Sequence, residues 1–114
     1  MPTMSDLADQ KCIPCHGGTP PLSADQIAKF SPQVPDWQVE NSHNLRRKYA
    51  FPNFLEALSF VNRVAELAEQ QGHHPDISFG WGYAELTIWT HAIDGLTESD
   101  FILAAKIDRL DKAI

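Results

Sequence analysis

The segment that most constrains the fold is a long amphipathic helix that begins after Asn53. Its apolar residues recur at three- and four-residue spacing, which places them on one face of an α-helix. They are Phe54, Ala57, Leu58, Val61, Val64, Ala65 and Ala68, and the polar residues opposite them are Glu56, Ser59, Arg63, Glu66 and Gln70. Asn53 suits the N-cap and Gly72 suits the C-terminus. Because burying each large side chain is worth roughly 1.5–3 kcal/mol, this helix needs an apolar layer to pack on.

Short segments with alternating polarity on both sides of this helix predict that layer to be a β-sheet. Trp37–Glu40 and Leu45–Phe51 precede the helix and are joined by a polar turn at residues 41–44. Asp76–Trp81 and Tyr83–Thr90 follow it, with glycines near their turn. Each pair reads as a β-hairpin.

Two further helices complete the predicted element order. Ser23 caps a short helix that ends at Phe30. Thr97 begins the last helix, and Asp100 stands at the spacing of a capping box. The apolar stripe of that helix is Leu103, Ile107, Leu110 and Ile114. The order α-β-β-α-β-β-α lacks strict strand–helix alternation and therefore favours an α+β fold with an antiparallel sheet.

Histidines flank the second predicted hairpin. His73 and His74 lie between the long helix and the first strand, and Pro75 restricts His74 to an extended conformation. His91 follows the second strand. Since a hairpin places the start of one strand beside the end of the other, the three imidazoles should converge at one sheet margin. Glu69, in the last turn of the helix, should lie beside them.

Imidazoles titrate near neutrality and can transfer protons in either direction. Three of them with a carboxylate suit a reaction that removes one proton and supplies another. The same residue types also suit iron or zinc, so a metal-dependent enzyme is an alternative prediction. His16 and His43 lie outside the cluster and are expected to be solvated.

The spacing of these residues resembles the signature of the pterin-4a-carbinolamine dehydratases. That signature is an acidic residue, His-His-Pro, an aromatic residue, a histidine and an aspartate, found here as Glu69, His73-His74-Pro75, Trp81, His91 and Asp100. The resemblance extends from about Leu22 to Leu110. It includes Asp36-Trp37, the Phe51–Phe54 helix start and the Gly95–Thr97 turn.

The resemblance implies a four-stranded antiparallel sheet with helices on one face, associating into homodimers or homotetramers. It also implies a hydro-lyase that converts 4a-hydroxytetrahydrobiopterin to quinonoid dihydrobiopterin and so recycles pterin for an aromatic amino-acid hydroxylase. That reaction requires no cofactor and no metal. A different class, also known among animal relatives, is a non-enzymatic dimerisation cofactor of a transcription factor; the intact signature favours retained catalysis.

The resemblance further assigns site residues. His73, His74 and His91 are the catalytic histidines. We expect His73 and His91 to form the proton-transfer pair and His74 mainly to hold the pterin. Substrate-binding roles fall to Glu69, Trp81, Trp37 and Asp100. Of these, Glu69 should orient His73, the tryptophans should shape the pocket, and Asp100 should also cap its helix.

Length and composition limit the number of domains and the classes of partner and compartment that we expect. A chain of 114 residues suits one domain, predicted at residues 22–114 after an N-terminal arm at 1–21. A net charge of −6 argues against a nucleic-acid partner. No apolar run approaches the ~20 residues that span a bilayer, and residues 1–11 lack the features of a secretory signal. We therefore expect a cytoplasmic protein with reduced cysteines.

The arm contains Cys12, Cys15 and His16 in the pattern Cys-x-x-Cys-His. This pattern occurs in c-type haem attachment, in zinc sites and in redox motifs. No second cysteine pair completes a zinc site, and no distal methionine pocket is evident. The favoured interpretation is an arm that packs on the domain, and the motif is assigned no role.

Overall fold

A computed structural model of the chain describes residues 7–10 and 20–113. The strands are β1 (Gln38–Glu40), β2 (Asn44–Ala50), β3 (Asp76–Gly80) and β4 (Tyr83–Ile88). The helices are α1 (Ala24–Phe30), α2 (Phe54–Gln71) and α3 (Glu98–Ala113), with short 3₁₀ helices at Leu7–Asp9, Ser31–Gln33 and His91–Ile93. The predicted α-β-β-α-β-β-α order and the α+β class are confirmed.

The sheet is antiparallel throughout, in the order β1-β2-β4-β3. Its register pairs Leu45 with Ile88 and Ile77 with Leu86, so apolar residues of adjacent strands share one face. Buried residues on that face include Leu45, Tyr49, Ala84, Leu86 and Ile88. β3 and β4 form the predicted hairpin, and Asp76 lies opposite Thr87. The start of β3 and the end of β4 therefore lie at the same sheet margin.

The ends of the helices follow local sequence chemistry. Ser23 and Gln26 form a complete capping box on α1. The Asn53 side chain accepts a hydrogen bond from the Glu56 backbone N–H at 2.9 Å, as an N-cap should. Gly72 ends α2 with φ at +64°, a left-handed conformation that costs glycine little.

The buried face of α2 is rotated from the predicted stripe. Phe60 is fully buried although the stripe omitted it, and its ring lies 4.6 Å from Tyr49 and 5.2 Å from Phe51. Phe54, which the stripe included, is 44% exposed. The buried residues of α2 are Ala57, Phe60, Val64 and Ala68. Aromatic packing against β2 thus sets the rotation of this helix.

Helix α3 is buried more extensively than its predicted stripe. Phe101 stacks on Phe30 of α1 with ring centroids 5.5 Å apart. The buried apolar residues of α3 are Phe101, Ile102, Leu103, Ala104 and Ile107, while the predicted Ile114 lies outside the described residues. Among the described residues, no helix has both the length and the apolarity needed to cross a bilayer.

Part of the predicted N-terminal arm packs on α3. Leu7 is only 1% exposed and belongs to the hydrophobic core. Lys106 Nζ donates to the Ala8 carbonyl at 3.0 Å, and Arg109 pairs with Asp9 at 2.9 Å. The Cys12–His16 motif lies outside the described residues, so the structure assigns it no contacts.

A carboxylate on α3 connects that helix to β2 and to the segment before β1. Asp108 Oδ1 accepts hydrogen bonds from Trp37 Nε1 at 3.0 Å, Arg47 Nη1 at 2.6 Å and the Tyr49 hydroxyl at 2.5 Å. Arg47 interrupts the apolar pattern of β2, and its guanidinium forms a salt bridge with the Asp108 carboxylate. Trp37 is 5% exposed and is a core residue held by its indole N–H.

Replacing Asp108 with alanine should lower the free energy of unfolding by about 3 kcal/mol, because three donors, one of them charged, lose their acceptor. Urea unfolding followed by circular dichroism measures this change. The matched control is Asp36→Ala, since Asp36 contacts the same Arg47 at 3.7 Å but is 70% exposed. That variant should change stability by less than about 1 kcal/mol. Equal losses of unfolding free energy in the two variants would show that the Asp108 network does not contribute to stability.

Candidate functional site

The sheet margin at which His73, His74 and His91 are predicted to meet is called here the histidine margin. It is built around the carboxylate of Asp100, which has no solvent exposure. Its Oδ2 accepts hydrogen bonds from the Thr97 backbone N–H at 2.8 Å and from the Thr90 hydroxyl at 2.9 Å. Its Oδ1 lies 2.5 Å from His73 Nε2. Asp100 therefore caps α3, as the sequence predicts, and also binds His73, one of the predicted site histidines.

The hydrogen-bond network around Asp100 assigns a tautomer to His73. A carboxylate with donors on both oxygens acts as an acceptor, so Nε2 of His73 carries the shared proton. The His73 side chain is only 13% exposed. Its Nδ1 remains as the ring nitrogen that can accept or release a proton.

His74 forms a second imidazole–carboxylate pair, on the surface. Its Nε2 lies 2.5 Å from Glu69 Oε2, and the two side chains are 60% and 78% exposed. The expectation that Glu69 orients His73 is thus corrected: Glu69 contacts His74, and Asp100 contacts His73. Gly72 has a left-handed conformation that reverses the chain at the end of α2. After this turn, His73 contacts the buried Asp100, and His74 contacts Glu69 in the last turn of α2.

His91 begins the 3₁₀ helix that follows β4. Its chain neighbour Thr90 is the residue whose hydroxyl binds Asp100, so His91 lies next to the network that holds His73. The His91 ring stacks on Trp89, with centroids 4.2 Å apart and planes 20° apart. Among the described residues, neither ring nitrogen of His91 has a hydrogen-bond partner. Within that part of the chain, both nitrogens can meet a bound molecule.

His43, expected to be solvated, contributes to the same end of the sheet. Its Nε2 lies 2.7 Å from Asp94 Oδ1 and its Nδ1 lies 3.1 Å from Asn44 Oδ1. The hydrogen bonds from Asp94 and then Asn44 raise the pKa of His43 above its usual 6.5, against a smaller lowering by burial. Its ring lies 5.6 Å from that of Trp89. No local sequence signal marks this residue, because its contacts depend on how the β1–β2 turn meets the His91 loop.

Comparison with known proteins identifies the family. The sequence profile described as pterin 4 alpha carbinolamine dehydratase matches residues 20–110, which is most of the chain. This chain belongs to that dehydratase family. The resemblance drawn from the histidine spacing is thereby confirmed.

Individual relatives of this family member agree with the profile. A protein from Rubrobacter xylanophilus, provisionally named pterin-4-alpha-carbinolamine dehydratase, is 61% identical over 94% of this chain and 100% of its own. A crystal structure of a transcriptional coactivator/pterin dehydratase from Brucella melitensis matches with a TM-score of 0.74 and 25% identity, over 79% and 97% of the two chains. A pterin dehydratase-like RuBisCO assembly factor of the alpha-carboxysome matches with a TM-score of 0.55 and 29% identity, over 65% and 84%.

The two tryptophans predicted to shape the pocket do not join the histidines in this dehydratase-family chain. Trp81 lies in the β3–β4 turn, at the opposite end of the hairpin from His73, and is 72% exposed. Trp37 lies before β1, whereas His73 leads into β3 at the other edge of the sheet. The family motif gives the spacing of the tryptophans along the sequence but not their distance in space from the histidines.

A concave surface of about 480 Å³ lies elsewhere, near β1 and β2. Its lining residues are Asp36, Gln38, Arg46, Arg47, Lys48 and Glu85. Arg46 is paired there with Glu40 at 3.0 Å and Glu85 at 2.9 Å, so its charge is already satisfied. Within residues 7–10 and 20–113, no group of three or more His, Cys, Asp or Glu side chains is arranged to hold a metal ion. The chemistry of the family motif therefore points to the histidine margin and not to this concavity.

Changing Asp94 to asparagine should lower the pKa of His43 toward about 6.5, because the largest cause of its elevation is removed. Asparagine also tolerates the left-handed φ of +52° at this position. Since the folded pKa is the higher one, the Asp94–His43 interaction stabilises the fold below about pH 6.5 and is lost as pH rises through the folded pKa. NMR titration of His43, with unfolding measured at acidic and alkaline pH, tests both effects.

The control for this titration is Asp25→Asn on α1, which removes the same charge without touching His43. It should leave the His43 titration unchanged. A titration midpoint of His43 that does not move in Asp94→Asn contradicts the assigned ion pair.

Proposed function

We propose that this chain is a hydro-lyase that removes water from 4a-hydroxytetrahydrobiopterin and forms quinonoid dihydrobiopterin. The observation that carries the proposal is the His73–Asp100 pair, in which the buried carboxylate also binds Thr90, the chain neighbour of His91. The family match over residues 20–110 supports a pterin carbinolamine as substrate. Histidine acid–base catalysis is our inference from this geometry.

The proposed reaction needs one proton delivered and one removed. The C4a–oxygen bond breaks as the hydroxyl is protonated, and water leaves. The N5–H proton is lost, and its electron pair forms the C4a=N5 double bond. The reaction involves no oxidation or reduction, so groups that transfer protons near neutral pH are sufficient.

We infer that His73 and His91 are the proton-transfer pair. Asp100 accepts the Nε2 proton of His73 and so leaves its Nδ1 as the reactive nitrogen. Because Asp100 is fully buried, we assign it a positioning role and not the direct substrate contact expected from the sequence. Within residues 7–10 and 20–113, both ring nitrogens of His91 are without a hydrogen-bond partner, so they suit proton transfer. His74, paired with Glu69 on the surface, suits the task of holding the pterin.

The proposal also covers the compartment, the oligomeric state and the metabolic role of the enzyme. We place the enzyme in the cytoplasm, as a homodimer or homotetramer that recycles pterin for an aromatic amino-acid hydroxylase. The family and the net charge of −6 support this setting and favour neither a nucleic-acid nor a membrane partner.

A binding or assembly role is the second candidate. The large apolar side chains of Phe54, Leu55 and Trp81 are 44%, 73% and 72% exposed, and a binding partner could cover them. The coactivator and assembly roles named for the two structural neighbours also favour it. This candidate predicts a chain that folds but does not accelerate dehydration.

Stopped-flow measurement of carbinolamine dehydration separates the two candidates. Wild type should exceed the uncatalysed rate, and His73→Ala or His91→Ala should each lower kcat by about 10²–10⁴-fold through loss of a proton-transfer group. Circular dichroism would verify that the variants are folded. A wild-type rate equal to the uncatalysed rate would reject the enzyme proposal and favour the binding role.

The two imidazole–carboxylate pairs offer a matched comparison. Asp100→Asn should lower kcat by about 10²-fold or more, since an amide can donate to His73 and favour the wrong tautomer. Glu69→Gln, in the exposed pair, should change kcat by less than about tenfold because solvent screens that contact. Thr90→Val removes one hydrogen bond to Asp100 and should lower kcat by an amount between those of the other two variants. Equal effects at positions 69 and 100 would contradict the assignment of His73 to proton transfer.

A further inference from the structure

His91 is the site histidine whose ring lacks a hydrogen-bonded anchor among the described residues. His73 and His74 are each fixed by a carboxylate. The ring of His91 instead lies against Trp89, with a centroid separation of 4.2 Å and nearly parallel planes. We propose that Trp89 is the positioning residue of His91 and that His43, bound to Asp94, holds Trp89 in place. The kinetic part of this inference rests on the proposed function; the positioning itself does not.

The backbone at His91 is secured independently of its ring. Thr90 and Gly95 form an isolated antiparallel bridge, in which the Thr90 N–H donates to the Gly95 carbonyl at 2.9 Å. This bridge closes the loop that contains His91 but does not select the rotamer of its side chain. The side chain is exposed, and within residues 7–10 and 20–113 the stack on Trp89 is the contact that restricts its ring. Misplacing a reacting group by about 1 Å is enough to cost a large factor in rate.

Trp89 is suited to serve as this platform because its own position is fixed. It follows Ile88, the fully buried last residue of β4, and packs partly buried against the core. Its ring also contacts His43, with centroids 5.6 Å apart. An aromatic platform attached to the sheet can hold an exposed imidazole without donating or accepting a proton.

His43 connects this platform to both hairpins. Asn44 binds its Nδ1, and the same Asn44 side chain donates to Glu40 at 3.0 Å. Asp94, which binds its Nε2, lies at the far end of the 3₁₀ helix that begins with His91. The His91 loop is therefore attached at its start through Trp89 and at its end through the Asp94–His43 pair.

The stack also limits how a substrate can approach. The indole covers one face of the His91 ring, so a flat pterin cannot stack on that face. The ring edge, which carries both nitrogens, is left for proton transfer. Trp89 thus favours an in-plane hydrogen bond from His91 to the substrate.

A double-mutant cycle tests whether Trp89 acts through His91. Trp89→Leu keeps an apolar side chain but removes the flat face, and should lower kcat by about tenfold with KM changed less than about threefold. Trp89→Phe retains an aromatic face and should recover most of the activity. In a His91→Ala background, Trp89→Leu should have no further effect. The same loss in both backgrounds, or no loss in Trp89→Leu alone, would overturn the proposal.

An NMR measurement tests the positioning without any assay of activity. The ring protons of His91 should resonate upfield in the wild type because of the indole ring current. They should move toward the free-histidine position in Trp89→Leu and part of the way in His43→Ala. Unchanged His91 shifts in Trp89→Leu would refute the stack, even in an active enzyme. Shifts that change as expected in a protein without dehydratase activity would reject the proposed function and leave the positioning intact.

Discussion

The structure depends on the buried carboxylate of Asp100. An ionised group without solvent contact is costly unless donors surround it, and Asp100 has donors from three parts of the chain. Thr97 lies at the start of α3, Thr90 follows β4, and His73 follows α2. One side chain therefore connects three parts of the chain at this margin and also fixes the ring of His73.

Two carboxylates attach helix α3 to the sheet and to the segments next to it. Asp100 binds groups at the β3–β4 end of the sheet, and Asp108 binds donors from β2 and from the segment before β1. Apolar residues of α3 fill the space between these attachments. Because the same helix forms part of the core and supports the site, changes in its packing should alter the position of His73.

Much of this architecture was predictable because local chemistry determines it. Ser23, Asn53 and Gly72 mark helix ends through capping and a left-handed turn, and strand alternation gave both hairpins. Hairpin register alone places the residues before β3 beside those after β4, because Asp76 lies opposite Thr87.

The partners of individual side chains were less predictable. Glu69 is one helical turn from His73, which made that pairing attractive, yet Asp100 from a distant helix provides the contact. Trp37 carries a polar N–H, and only the tertiary structure shows that Asp108 accepts it inside the core. The contact between Trp89 and His43 has no marker in the sequence, because it arises where the β1–β2 turn meets the end of β4.

The most direct measurement of the central claim is a crystal structure with a dihydropterin bound. We expect a pterin ring at the Asp100 margin, with N5 or the C4a substituent within about 3.2 Å of a nitrogen of His73 or His91. A pterin bound instead in the concavity lined by Asp36, Arg46 and Glu85, with no imidazole in reach, would contradict it.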